Sequence, residues 1–90
     1  MAMQREAVLA KVVSRGLADR AEIIGNPNAI VSSASLDSRV VRPGTLFCCV
    51  RGNRLDGHDY AADAVRAGAS ALLVDHVLDL DVPQVVVDDV

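Results

Sequence analysis

Aromatic residues are almost missing from this 90-residue chain: it holds one Phe, one Tyr and no Trp. Large rings therefore cannot fill its interior, and a core must come from Val, Ala, Leu and Ile. That composition suits a Val-rich parallel sheet covered by Ala-rich helices. A basic excess is also lacking, since the net charge is -3, which argues against a nucleic-acid partner. Cysteine is limited to the adjacent pair Cys48 and Cys49. Neighbours in a strand point to opposite faces, so these two should not form a normal disulfide with each other. No CxxC pair or His/Cys cluster has zinc spacing, and both thiols read as small buried hydrophobes in a reducing compartment. There is no apolar run long enough to span a bilayer and no signal-peptide pattern at the N-terminus. The expected location is cytoplasmic, without a membrane partner.

What is present is mostly apolar, at 51% of residues, enough for one small globular core. Residues 5–17 carry apolar positions at helical spacing, with Gly16 as a stop. "AEIIGNPNAIVSSASL" reads as two short strands around a Gly-Asn-Pro-Asn turn. Pro43 and Gly44 suit the central positions of a type II turn. "TLFCCV" is continuously apolar, as expected of a strand buried on both faces. After the loop "RGNRLDGH" comes a helix in "DYAADAVRAGA", with Tyr60, Ala61, Ala64 and Val65 as its apolar stripe. Asp56 or Asp59 could cap its start, and Gly68 its end. "SALLVD" and "QVVVDDV" are further strands. The fold class is therefore α/β: a small, three-layer-like domain with a mainly parallel Val-rich sheet, a βαβ unit and an N-terminal helix plus hairpin. Because the sequence stops inside an apolar strand, it reads as a piece of a longer protein.

The polar segments flanking "TLFCCV" carry the chemistry. In open α/β sheets, ligands collect outside the carboxyl ends of strands, which is where "RGNRLDGH" falls. Asn53 has the donors and acceptor needed to read a base edge, and Arg51 and Arg54 could meet phosphate. In "LDSR", Ser38 puts a hydroxyl at a strand end, while Asp37 and Arg39 are suited to pinning the loop. The residues alone leave open an ordinary capped βα connection. His58 and His76 have no recognisable nucleophile beside them, and no carboxylates are spaced for acid/base work or a metal site. The pattern supports a binding domain, not a complete enzyme.

"LDSRVVRPGTLFCCVRGNRLDGHDYAADAVRAGASALLVD" closely resembles the N-terminal domain of the Mur ligases, which add amino acids to the peptidoglycan precursor. The signature is DSR-x-V-x-PG-x-LF, then G-x-x-x-DGHDY, then A-x-x-x-GA-x-A. The match is best to the MurE-type branch, which adds diaminopimelate or lysine as the third peptide residue. The resemblance implies that residues 1–90 are the UDP-substrate-binding domain of a three-domain enzyme. Leu36 and Ser38 match positions that contact uridine, and Asn53, Arg54 and Leu55 match the loop that closes on uracil, although this chain departs from some relatives in those three identities. The implied partners are the UDP-N-acetylmuramoyl-peptide substrate and the missing central and C-terminal domains. ATP and Mg2+ belong to the full-length enzyme, whereas this chain has no G-x-x-G-K-[ST] loop, no cofactor of its own and no catalytic or metal residue, and should be inactive alone. Two alternatives remain: the same domain of a MurF-type ligase adding D-alanyl-D-alanine, and a free-standing nucleotide-sensing module.

Overall fold

The computed structural model describes residues 7–9, 21–51 and 56–88. In chain order the strands are β1 (Ala7–Val8), β2 (Glu22–Ile24), β3 (Ile30–Val31), β4 (Ser33–Ser35), β5 (Thr45–Cys48), β6 (Ala71–Val74) and β7 (Gln84–Val86). The helix α1 spans Ala61–Arg66, and short 3-10 turns form at Ser38–Val40 and Gly57–Tyr60.

Five strands form one sheet in the order β2-β7-β6-β5-β4. β4, β5, β6 and β7 run parallel, and β2 closes the far edge antiparallel to β7. Strict alternation along the central strands divides the core. Phe47, Cys49, Leu72 and Val74 join Ala61 and Ala64 of α1 in one apolar cluster. Leu46, Ala71 and Val85 point the other way and meet Leu9 and Val31 in a second cluster. The sheet is thus covered by α1 on one face and by the β1–β3 ribbon on the other, and its period of two explains why its strands read as unbroken apolar runs. Cys48 and Cys49 fall in opposite clusters, as strand geometry requires, and both are free. The strand-helix-strand unit of β5, α1 and β6 follows the reading of the sequence.

The connection into β5 also matches expectation. Thr45 N–H donates to the Arg42 carbonyl at 3.0 Å, and Gly44 has φ 94°. That combination is a type II turn, which needs positive φ at its third residue. Gly68 ends the helical segment at φ 107°.

Two expectations are corrected. The strands on either side of the Gly25–Asn28 turn do not form a hairpin. β2 pairs with β7 at one edge of the sheet, while β3 pairs with β1 and β4 with β5. A turn-forming tetrapeptide reverses the chain but does not choose the strand's partner. Here Ile23 gains burial in register with Val85, and β3 gains it by lying under the sheet. The second correction concerns the N-terminal helix. Ala7 and Val8 are strand residues opposite Val31 and Ile30, so pairing to β3 overrides the helical spacing across them, while Leu9 is helical as expected. Arg5, Glu6 and Ala10 through Leu17 of that expected helix lie outside the described residues.

Candidate functional site

The carboxyl ends of β4, β5 and β6 lie side by side, since Ser35 pairs with Phe47 and Cys48 with Leu73. Each end leads into polar sequence: "LDSR" after β4, the residue 51–56 segment after β5, and Asp75-His76 after β6.

After β4, a compact hydrogen-bond set holds "DSR" in place. Asp37 N–H donates to Ser35 Oγ at 3.0 Å. The Asp37 carboxylate then caps the 3-10 turn by accepting from Arg39 N–H at 2.9 Å. It also takes Arg39 Nε and Nη2 at 3.0 and 2.9 Å. The Arg39 guanidinium holds the Asp37 carboxyl below the usual carboxylate range. Both charged residues of the motif therefore shape the loop, as the sequence suggested. Ser38 lies between them, and its hydroxyl makes no hydrogen bond among the described residues. Leu36, Asp37, Ser38 and Arg39 line an open cavity of about 600 Å³ with Tyr60, a size within the range of small-molecule sites. Leu36 is 66% exposed despite being a large aliphatic residue.

The segment after β5 is pinched at its base. Arg51 and Asp56 form an antiparallel bridge, and Gly57 N–H donates to the Val50 carbonyl at 2.8 Å. Asn53, Arg54 and Leu55, the remaining expected substrate contacts, lie outside the described residues. Arg51 is not available to a phosphate in the way its sequence position suggested. Its Nε and Nη2 donate to Asp75 at 2.5 and 3.1 Å, and its Nη1 donates to Asp56 at 2.8 Å.

Those pairs belong to a clasp that sequence reading missed. Asp56 accepts from His58 N–H at 2.9 Å and also faces His58 Nδ1 at 2.6 Å. Asp75 N–H donates to His58 Nε2 at 3.1 Å. A ring carrying its proton on Nδ1 satisfies both contacts. His76 stacks on His58 with ring centroids 4.7 Å apart, and its Nδ1 lies 2.5 Å from Asp75. Ligand atoms of His58, Asp75 and His76 fall within 4.8 Å of one another, a juxtaposition invisible in the sequence spacing. Both His58 ring nitrogens and both Asp75 oxygens already have protein partners, so the group works as a structural clasp joining the ends of β5 and β6. The one available signal was topological: parallel neighbours must bring Arg51 and Asp75 to the same sheet edge. The Arg51 guanidinium, with His76 beside it, holds the Asp75 carboxyl far below its ordinary range. For Asp56, the hydrogen bond from His58 N–H is the main cause of a lowered pKa.

Neither thiol is poised for nucleophilic work. Burial pushes the Cys49 thiol up to about 12 and raises that of Cys48, and only the thiolate attacks. No described helix is long and apolar enough to cross a membrane.

Comparison with known proteins bears on what this arrangement serves. Residues 30–89 match the Mur ligase family, catalytic domain. The chain is 48% identical over 65 residues to UDP-N-acetylmuramoyl-L-alanyl-D-glutamate--2,6-diaminopimelate ligase of Geobacillus thermodenitrificans, covering 72% of this chain and 13% of that protein. It is 44% identical over 59 residues to UDP-N-acetylmuramoyl-tripeptide--D-alanyl-D-alanine ligase of Escherichia coli, covering 66% of this chain and 13% of that protein. In fold, it resembles a crystal structure of MurF from Acinetobacter baumannii with TM-score 0.82 and 23% identity, over 96% of this chain and 19% of that one. The chain therefore spans only a small part of the length of the proteins it matches. With two thirds of its residues matched and the DSR and DGHDY motifs folded at adjoining strand ends, the chain belongs to the Mur ligase family.

Proposed function

We propose that this chain is the domain that holds the uridine diphosphate end of UDP-N-acetylmuramoyl-dipeptide for an ATP-dependent ligase adding the third peptide residue. The observation that carries this reading is the cavity at the β4 end, where the exposed Leu36 side chain and the Ser38 hydroxyl sit together. A pyrimidine nucleotide needs both an apolar surface for its base and neutral hydrogen-bonding groups for its edge or sugar. The loop residues Asn53, Arg54 and Leu55 complete the proposed site, with Asn53 reading uracil and Leu55 packing on it. Residues 1–90 act in this reading as one domain of a longer, cytoplasmic enzyme. Its acid–amino-acid ligation would use ATP and Mg2+ bound by other domains, because this sequence contains no G-x-x-G-K-[ST] loop and a single lysine, Lys11. The Escherichia coli relative, which is a UDP-N-acetylmuramoyl-tripeptide--D-alanyl-D-alanine ligase by name, favours as second reading the same handle domain in a MurF-type enzyme.

The test is an NMR titration of the chain with UDP and with ADP at equal ionic strength. UDP should shift resonances of residues 36–38 and 52–57, and ADP should shift them less, because in this reading Asn53 and Leu55 are matched to the smaller uracil ring. Binding should be weak, since one domain supplies few contacts while the cost of immobilising the ligand remains. Equal responses to both nucleotides would mean that the site senses charge alone. Ser38→Ala should weaken UDP binding by about 1 kcal/mol, the worth of one neutral hydrogen bond, with an unchanged melting temperature. A large fall in melting temperature at constant affinity would make Ser38 structural.

A further inference from the structure

We propose that Tyr60 is the base-stacking residue of this site; the inference rests on the uridine reading above. Tyr60 is the last residue of the 3-10 turn Gly57–Tyr60 and precedes α1. The sequence pattern groups it with Ala61, Ala64 and Val65 in one apolar stripe, yet the structure separates it from them. Ala61 and Ala64 are completely buried against the sheet, whereas Tyr60 remains 38% exposed and lines the cavity shared with Leu36 and Ser38. The 3-10 turn carrying Ser38 packs against α1, which brings the two walls of the cavity together. In a chain with one Tyr, one Phe and no Trp, Phe47 is fully buried in the core and Tyr60 is the ring left at the cavity. A flat ring with an exposed face is the surface on which a nucleobase stacks, and that contact is tolerant of ring identity but not of its loss. Leu36 adds aliphatic surface in the same cavity. The Tyr60 hydroxyl makes no hydrogen bond among the described residues; the proposal assigns the contact to the ring face, and Tyr60→Phe measures what the hydroxyl adds. Position is set from behind: the Asp56 carboxylate caps the turn through His58 N–H, and the clasp holds His58.

Because Tyr60 is the sole tyrosine and tryptophan is absent, the chain's intrinsic fluorescence reports on this side chain alone. UDP should quench it saturably, with the midpoint given by the NMR shifts at Leu36 and Ser38. Pyrophosphate and ribose 5-phosphate, which lack a base, should leave it unchanged. Free N-acetyltyrosinamide measured with the same UDP series corrects for absorption and collisional quenching. Tyr60→Phe should keep UDP affinity within about twofold, and Tyr60→Leu should weaken it about tenfold. If UDP shifts Leu36 and Ser38 while the emission stays constant and Tyr60→Leu binds normally, the stacking role is overturned and the uridine reading stands. If UDP produces no saturable response by either probe, the uridine reading falls and the role of Tyr60 falls with it. The fluorescence measurement on the unaltered chain decides the matter even if Tyr60→Leu does not fold.

Discussion

Gly57→Ala should destabilise the domain by about 3 kcal/mol, lowering its melting temperature by roughly 10 to 20 °C. A Cβ at this position would stand 2.7 Å from Val50 N and 3.0 Å from both Cys49 C and Cα. All three are backbone atoms at the end of a buried strand, so no side chain can swing aside to make room. The close approach is held by the hydrogen bond from Gly57 N–H to the Val50 carbonyl and by the neighbouring Arg51–Asp56 bridge. Glycine is needed here for proximity, not for an unusual dihedral angle, since among the described residues the glycines with positive φ are Gly25, Gly44 and Gly68. Relief of the clash would push the Gly57–Tyr60 turn outward. The nucleotide response should therefore weaken along with stability. Urea denaturation with far-UV circular dichroism measures the first effect, and the UDP titration measures the second. An alanine variant as stable as the unaltered chain would show that the two segments do not touch as described.

Asp75→Asn should remove about 2 kcal/mol of stability at pH 7 and flatten its acid dependence. The carboxylate receives Arg51 through two nitrogens and His76 through Nδ1, and its side chain is 17% exposed. Asparagine preserves the shape but gives up the charge and half of the acceptor capacity. Asp75 and Asp56 are both held below their ordinary pKa in the folded state, the first chiefly by Arg51 and the second chiefly by His58 N–H. A depressed carboxyl contributes stability that is complete above the unfolded value, near pH 4, and is lost as pH falls below it toward the folded value. Urea midpoints measured from pH 7 down to pH 2 should therefore fall steeply below about pH 4 in the unaltered chain. In Asp75→Asn they should start lower and fall less. Parallel acid limbs would show that Asp75 does not carry this linkage.

Several parts of this architecture could be read from local chemistry. The runs "TLFCCV", "SALLVD" and "QVVVDDV" become adjoining parallel strands because only a sheet buried on both faces places consecutive apolar residues inside. The Pro43-Gly44 pair makes a type II turn because Gly44 tolerates its positive φ. Asp56 caps the helical segment because a carboxylate two residues ahead reaches the free N–H of His58. Ser38 could be placed at a strand end for the same local reason, beside two charged residues occupied with each other.

Other features were set at a distance and left little mark on neighbouring residues. Ile23 and Ile24 are strand-forming, but their pairing with Val85 and Gln84 depends on which sheet edge remains open after the parallel core assembles. Ala7 and Val8 fit a helical spacing until Val31 and Ile30 take up their backbone groups. Arg51 looked free for an anion because Asp75 is 24 residues away, and His58 and His76 meet only because parallel strands bring their loops to one edge. Tyr60 reads as part of an apolar stripe, yet the turn preceding α1 leaves it at the cavity while Ala61 and Ala64 go inside. By itself, the sequence determined the central parallel strands, the turns, the caps and the family, because each rests on dihedral preference, apolar periodicity or contiguous motif. Strand partners, the clasp and the ring exposed at the cavity were decided by tertiary structure, because burial and ion pairing are summed over residues that only the folded chain brings together.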